Sequence, residues 1–257
     1  MKKSLILLLV SLASTAAMAQ LADLKVAIDP TFKPFTFKTA DGKPTGFDVD
    51  IANALCEQLK RKCVFVEQVW DGMIPGLQTK KYDVIISSMA MTEERSKVVD
   101  FSNKYYNMPI RLVTRNDIKV EDNFDGLKGK KIGVLKGSAQ EKFAMGELKG
   151  RGANVVPYEA TEQVYLDLKS GRLDGTVALS AEVDAGFLSK PEGKNYGFVG
   201  QSLNNQYSKY FGVGAGVAMR KGDKLKDEIN AAISAIRANG TYKKINDKYF
   251  TIDIFGG

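Results

Sequence analysis

Residues 84–95, VIISSMAMTEER, read as a strand that runs through a polar loop into a helix. Val84 to Ser87 is an apolar, β-branched run of the kind that is buried in a sheet. Thr92 is a natural helix N-cap, and Glu93 and Glu94 suit the positive end of the helix dipole. Arg95 does not suit it. A cation in the first helical turn costs a few tenths of a kcal/mol, up to about 1. In open α/β sheets, ligands bind beyond the carboxyl ends of the strands, which is where this loop lies. Arg95 therefore reads as a residue retained to hold something.

The same strand–loop–helix pattern extends in both directions. LKVAI (24–28) is a strand, FTFKTADGKPTGF (35–47) a hairpin turning at Asp41-Gly42, and Asp48 an expected cap of a helix with the stripe Ile51, Ala54, Leu55 and Leu59. CVFVEQV (63–69) is the next strand, and a short helix falls within MIPGLQTKKYD. A second round begins near residue 125. KKIGVLKGSAQEKF (130–143) is strand, glycine-containing loop and helix, with Ser138-x-x-Glu141 as a capping box. VVPYE, the helix TEQVYLDLKSG and the strand TVALS follow. GVGAGVAMR is a late strand, and the helix DEINAAISAIRANG aligns Ile229, Ile233 and Ile236 before stopping at Asn239-Gly240. Alternating β and α units predict an α/β protein with largely parallel sheets, and the two rounds predict two lobes.

Composition narrows the function classes. The chain has 257 residues, 44% hydrophobic and 26% charged, which is the mix of a globular protein with room for two lobes of roughly 100 residues. Lys2-Lys3, the apolar run LILLLVSLA and Ala17-Met18-Ala19 form a secretory leader with cleavage expected after Ala19, so the mature protein is expected to be soluble and exported. The apolar run is short of the ~18–20 residues a membrane span needs. No cysteine follows the cleavage site, which argues against a lipid anchor. Two of the 37 basic residues fall in the leader, and 30 acidic residues oppose the rest, a balance too mild for nucleic-acid binding. The absence of histidine removes the commonest general base and metal ligand. Cys56 and Cys63, in an exported chain, are expected to pair; the alternative is two buried thiols.

These residues resemble a known family. VAIDPTFKPF, GFDVDIANALC, WDGMIPGL, KKYDVIISSMAMTEER, LKGKKIGVLKGSAQE, LDLKSGRLD and NGTYKKINDKYF match, in order, the periplasmic solute-binding proteins of ABC importers for polar amino acids. The likeness is greatest to the lysine/arginine/ornithine-binding and histidine-binding branch. It implies a two-lobed periplasmic binding protein fold (type II), with two mixed sheets joined by two crossing strands and a cleft between the lobes. It implies a leader at 1–19, a discontinuous lobe 1 at 20–108 and 210–257, a lobe 2 at 112–205, and crossing strands near 107–111 and 203–211. The partners it implies are a small carboxylate-bearing ligand and an inner-membrane ABC permease, with the protein a monomer and no cofactor, metal or catalytic residue. The family's short disulfide matches Cys56 and Cys63.

By the same resemblance, Arg95 forms a bidentate pair with the ligand's α-carboxylate, helped by backbone N–H groups of the Ser138-Ala139 turn. The alternative for Arg95 is a pair with Glu94 or another surface acid. Asp29 meets the cationic end of the ligand; otherwise it caps the turn before Pro30. Phe32 and Trp70 sandwich the ligand's side chain, or else are core aromatics. Ser87, Ser88, Leu135 and Gln140 complete the implied lining.

Two departures stand out. Amino-acid binders of this family grip the α-ammonium with a serine and an aspartate. Here the first position is Ala90, and the second is Leu179, or Ala181 in a shifted register. Glu182 is the nearest carboxylate, and period-2 geometry puts it on the opposite strand face. Phe32 also replaces a tyrosine, and Lys136 occupies a usually neutral polar position, where it could meet a second carboxylate. A buried ammonium without a carboxylate costs several kcal/mol. The expected ligand thus has a carboxylate and a cationic or polar far end but no ordinary free α-ammonium, as in opine-type conjugates of arginine, N-substituted amino acids and guanidino acids. A plain basic amino acid fits if Glu182 or a water supplies the contact. A cyclohexadienyl dehydratase occurs on a related scaffold and needs a positioned acid such as Glu182. No motif here resembles that enzyme's catalytic set, so binding without chemistry is expected.

Overall fold

The structure, a computed structural model, describes residues 22–256. The leader read at residues 1–19 lies outside the described residues. The first segment contains β1 (Leu24–Ile28), β2 (Thr31–Phe32), β3 (Thr36–Lys38), β4 (Pro44–Thr45), α1 (Phe47–Gln58), β5 (Cys63–Glu67), α2 (Met73–Gln78), β6 (Val84–Ile85), α3 (Glu93–Ser96) and β7 (Val99–Tyr106). The second contains β8 (Ile110–Arg115), β9 (Lys131–Leu135), α4 (Ala139–Phe143), β10 (Asn154–Tyr158), α5 (Thr161–Lys169), β11 (Gly175–Leu179), α6 (Ser180–Val183) and β12 (Tyr196–Val199). The chain then adds α7 (Ser208–Phe211), β13 (Ala215–Arg220), α8 (Leu225–Ala238) and α9 (Thr241–Tyr249).

Two five-stranded sheets result, in the orders β5-β1-β6-β13-β7 and β10-β9-β11-β8-β12. In the first, β5, β1 and β6 are parallel and β13 is antiparallel to both its neighbours. In the second, β10, β9 and β11 are parallel and β8 is antiparallel to both neighbours. Both sheets are therefore mixed rather than largely parallel. The antiparallel strands are those flanking the two places where the chain passes between sheets. The first sheet takes strands from both ends of the chain and the second only from the middle.

The passages are not crossing strands. Residues 107–109 are irregular, and Ser208–Phe211 is a helical turn. They are stitched together near their start: the Leu203 N–H donates to the Ile110 carbonyl at 2.9 Å, and Asn204 Oδ1 accepts from the Ile110 N–H at 2.7 Å. Cys56 and Cys63 are joined, tying the end of α1 to β5. On α8, Ile229, Ile233 and Ile236 are buried along one face, as their spacing predicts.

Asp48 is not the N-cap of α1. Gly46 takes that position, and Asp48 is fully buried as the second residue of the helix. The cause is local. Gly46 has φ 121°, and a Cβ there would sit 2.3 Å from the Phe35 carbonyl oxygen. Only glycine lets the chain pass this close. That approach brings Phe35 and Phe47 against Tyr105 and Tyr106 of β7, with Phe35 stacked on Tyr106 at 5.1 Å and Phe47 on Tyr105 at 6.4 Å. Gly46→Ala is expected to destabilise the protein by about 2 kcal/mol or more, seen as a lower urea midpoint at unchanged m-value.

Candidate ligand-binding site

Arg95 lies on α3, a single turn begun by Thr92, whose Oγ1 accepts the Arg95 N–H at 3.3 Å. That turn follows β6 after the loop 86–92, and its Arg95 side chain reaches into the gap between the sheets. Arg95 is only 7% exposed. Its Nη1 donates to the Ala90 carbonyl at 3.1 Å, and its Nη2 crosses to the Gly137 carbonyl of the β9–α4 loop at 3.2 Å. The Trp70 ring lies 5.4 Å from the guanidinium. Burial pulls the Arg95 pKa down to about 10, leaving it a cation at neutral pH. Glu94 does not pair with it; that acid is bonded to Lys142.

Arg95 opens on a cavity of about 760 Å³, open solvent included. Phe32, Trp70, Ser88 and Ala90 line it from the side of the first sheet, and Leu135, Ser138, Ala139, Gln140 and Leu179 from the side of the second. Apolar walls with a few polar groups are the usual make-up of a small-molecule site. Further polar side chains line it that the sequence reading did not place there, among them Tyr106, Tyr165 and Glu182. Glu182 is 2% exposed and accepts a hydrogen bond from the Tyr165 hydroxyl. Burial pushes its carboxyl well above the usual range, and the nearby charge of Glu162 adds to this. The charge acting on Arg95 is that of Glu94, and the charge acting on Glu182 is that of Glu162. The Tyr106 hydroxyl is buried without a hydrogen-bond partner among the described residues.

Residues 24–252 match the family of bacterial extracellular solute-binding proteins, family 3. The chain belongs to this family. It is 48% identical over 259 residues to the L-arginine-binding protein of Pseudomonas aeruginosa, covering 100% of this chain and 99% of the relative. It is 39% identical over 256 residues to the histidine-binding periplasmic protein of Escherichia coli, covering 99% and 98%. A solved structure of an ancestral arginine-binding protein bound to arginine superposes with TM-score 0.81 at 35% identity, covering 90% of this chain and 99% of that one.

Several residues of this solute-binding protein stand elsewhere than the sequence suggests. Asp29 does not line the cavity. It accepts from the Thr31 N–H at 3.1 Å and the Thr31 hydroxyl at 2.8 Å, the local turn that Asp readily makes. The Ser87 hydroxyl is also turned away, accepting the Asp29 N–H at 3.0 Å. Lys136 faces the rim, where it pairs with Asp71 at 3.1 Å and Glu159 at 3.0 Å. The Ser138 N–H donates to the Leu135 carbonyl at 3.2 Å and is not a free anion donor. The capping box is displaced by one residue: Ser138 Oγ accepts from the Glu141 N–H at 3.0 Å, while Glu141 reaches the Gly137 N–H at 2.7 Å. Glu182 corrects the reading most. The strand ends at Leu179, and residues 180–183 turn into α6. Leu179 at the N-cap and Glu182 three residues on then share a helix face instead of opposing each other across a strand.

The pairs Lys136–Asp71 and Lys142–Glu94 both bridge the cleft at its exposed rim. Exposed pairs are worth about 0.2–1 kcal/mol, so Lys136→Ala should weaken solute affinity by less than about fivefold, with the loss fading in 1 M salt. A hundredfold loss would instead put Lys136 on the solute. Asp48 supplies a pH test. Its burial pushes the carboxyl pKa from 3.8 to about 7. Between these values the folded state holds a proton that the unfolded chain has released, so this group favours the fold increasingly as pH falls through the window. Asp48→Asn removes that dependence. The stability of the wild type relative to Asp48→Asn, from urea melts at pH 8, 7, 6 and 5, should rise as pH falls, by at most about 1.4 kcal/mol per pH unit.

Proposed function

We propose that this protein is the periplasmic binding component of an ABC importer and captures a cationic amino acid with a long side chain, arginine first, for an inner-membrane permease. The observation that carries this reading is the polarity of the cavity. A buried guanidinium, that of Arg95, and a buried acid, Glu182, line one and the same largely apolar cavity. Arg95 has the fork geometry that grips a carboxylate. Glu182 and the Tyr165 hydroxyl suit a cationic side-chain end. A guanidinium that draws Glu182 into its charged form would offset the cost of that acid's burial. The arginine-binding names carried by relatives support the same class of ligand.

Closure completes the mechanism. Arg95 comes from the first sheet's segment, and the Gly137 carbonyl it reaches belongs to the second's. A solute held from both sides favours the closed arrangement over the open one. The permease then meets a closed, loaded protein, with the binding protein acting as a monomer.

A second reading rests on a specific observation. Ala90 and Leu179 both line the cavity and neither can answer an ammonium. This favours an opine, an N-substituted amino acid or a guanidino acid, in which the free α-ammonium is absent or masked. Titration calorimetry of the ligand-stripped protein with arginine, lysine, histidine and an arginine-derived opine separates the readings. Arginine is expected to bind tightest; preference for the opine by tenfold or more would reverse the order. Arg95→Ala should cost on the order of 3 kcal/mol of affinity, roughly a hundredfold. A loss under about twofold would place the guanidinium outside the ligand's reach.

A further inference from the structure

Glu182 holds a position that an ionised carboxylate tolerates badly. It is 2% exposed, it lines the cavity, and no cation acts on it. Its Oε1 accepts from the Tyr165 hydroxyl, and Tyr165 lines the same cavity. That tyrosine is held in turn. Its ring stacks on Phe187 at 5.8 Å and lies so close to Gly186 that a Cβ there would sit 2.4 Å from it.

The neighbouring elements supply no counter-charge. α6 packs on β11, whose residues GTVAL carry no titratable group, and on the turn 184–188, whose Asp184 accepts from the Ser189 hydroxyl at 3.0 Å. α5 contributes Tyr165 and Glu162, and the Glu162 charge opposes ionisation of Glu182. Lys190 acts on Glu162 rather than on Glu182. Across the cleft, burial pushes the Tyr106 hydroxyl well above its ordinary range, so it stays neutral. Arg95 lines the same cavity, but its guanidinium hydrogen-bonds to the Ala90 and Gly137 carbonyls. A carboxyl buried in this way takes up a proton rather than carry an unpaired charge.

A ligand whose far end is a fixed cation changes that balance. Beside a guanidinium the ionised acid gains the charged partner it lacks, and the Tyr165 hydroxyl already gives a hydrogen to one carboxylate oxygen. A neutral end of the same shape offers hydrogen bonds without charge, and the acid then keeps its proton.

We infer that Glu182 is a specificity-determining residue that stays protonated until a cationic ligand arrives, and that capture of such a ligand expels one proton from the cavity. The O–H bond of the Glu182 carboxyl breaks, its proton passes to water or buffer, and the carboxylate remains paired with the ligand's cation, which keeps its own protons. Selectivity for a cationic over a neutral side chain is then pH-dependent. Raising the pH favours release of the proton and strengthens binding of the cation, while a neutral isostere gains nothing. This rests on the reading that the cavity takes an amino acid with a cationic far end.

The test compares L-arginine with L-citrulline, which has a neutral urea in place of the guanidinium and the same α-carbon groups. Calorimetry in phosphate and in Tris at pH 7 counts the protons released. About one is expected for arginine and fewer than about 0.3 for citrulline. From pH 6 to pH 7 the arginine affinity should rise about tenfold and the citrulline affinity should stay level. In Glu182→Gln the release with arginine should fall below about 0.3, and the preference for arginine over citrulline should shrink by about tenfold or more. Equal release for both ligands, or release that survives in Glu182→Gln, would overturn the assignment. If Glu182→Gln fails to fold, the wild-type comparison decides alone. If the wild type binds neither compound, the amino-acid reading is what fails. Carbon-13 NMR of the glutamate carboxyls then judges the acid by itself: a signal missing from Glu182→Gln and neutral at pH 7 in the wild type supports the protonated state, and an ionised one refutes it.

Discussion

A guanidinium buried between two sheets is the constraint around which the rest is arranged. Arg95 is almost fully shielded from water, and its two hydrogen-bond partners, the Ala90 and Gly137 carbonyls, lie on segments of different sheets. Carbonyls share a cation's N–H groups but do not neutralise it, and burial of a charge is costly until an anion meets it. The one-turn helix that carries Arg95 is a poor place for a cation, as its sequence shows. A ligand carboxylate, as proposed above, would resolve that conflict and link the two halves of the molecule.

The remainder of the cavity distributes charge sparingly. Its walls are largely apolar, and Glu182 is the acid among its lining residues. Ala90 and Leu179 leave the ground next to Arg95 without an acid in direct contact. Behind that ground, Phe35, Phe47, Tyr105 and Tyr106 form an aromatic floor, and Asp48 accepts the Tyr105 hydroxyl's hydrogen bond. Ser88, at φ 56°, is bonded to that floor through Asp48 and Tyr105, both fully buried.

The cleft rim works on different physics. Lys136–Asp71 and Lys142–Glu94 bridge the same gap as Arg95 but remain partly in water, where Coulomb attraction is weak and salt screens it. Their weight is small beside that of a buried charge. The two chain passages, held together at Leu203, Asn204 and Ile110, are short and irregular. Such segments can absorb changes in backbone angles that paired strands resist.

Local sequence determined a good deal. The Thr92 cap, the strand into the 84–95 loop, the apolar stripe of α8 and the hairpin at Asp41-Gly42 follow from propensities acting over a few residues. The mixed sheets were implied only by resemblance, because antiparallel pairing of β7 with β13 joins residues more than 100 positions apart. Asp48 read as a helix cap because its local surroundings permit one. Only the tertiary fold, by pressing Gly46 against Phe35 and closing the aromatic cluster, buries it beneath Ser88. Glu182 was read as facing away because a strand was extended past its end at Leu179. One helical turn brings it to the cavity, and no period-2 rule can anticipate where a strand stops. Asp29 and Lys136 were drawn to partners in their own surroundings, Thr31 in one case and Asp71 and Glu159 in the other. Residue types specify what chemistry is available. Which charges meet a ligand and which meet each other is set by packing between segments distant in the chain, where burial changes the worth of every charge.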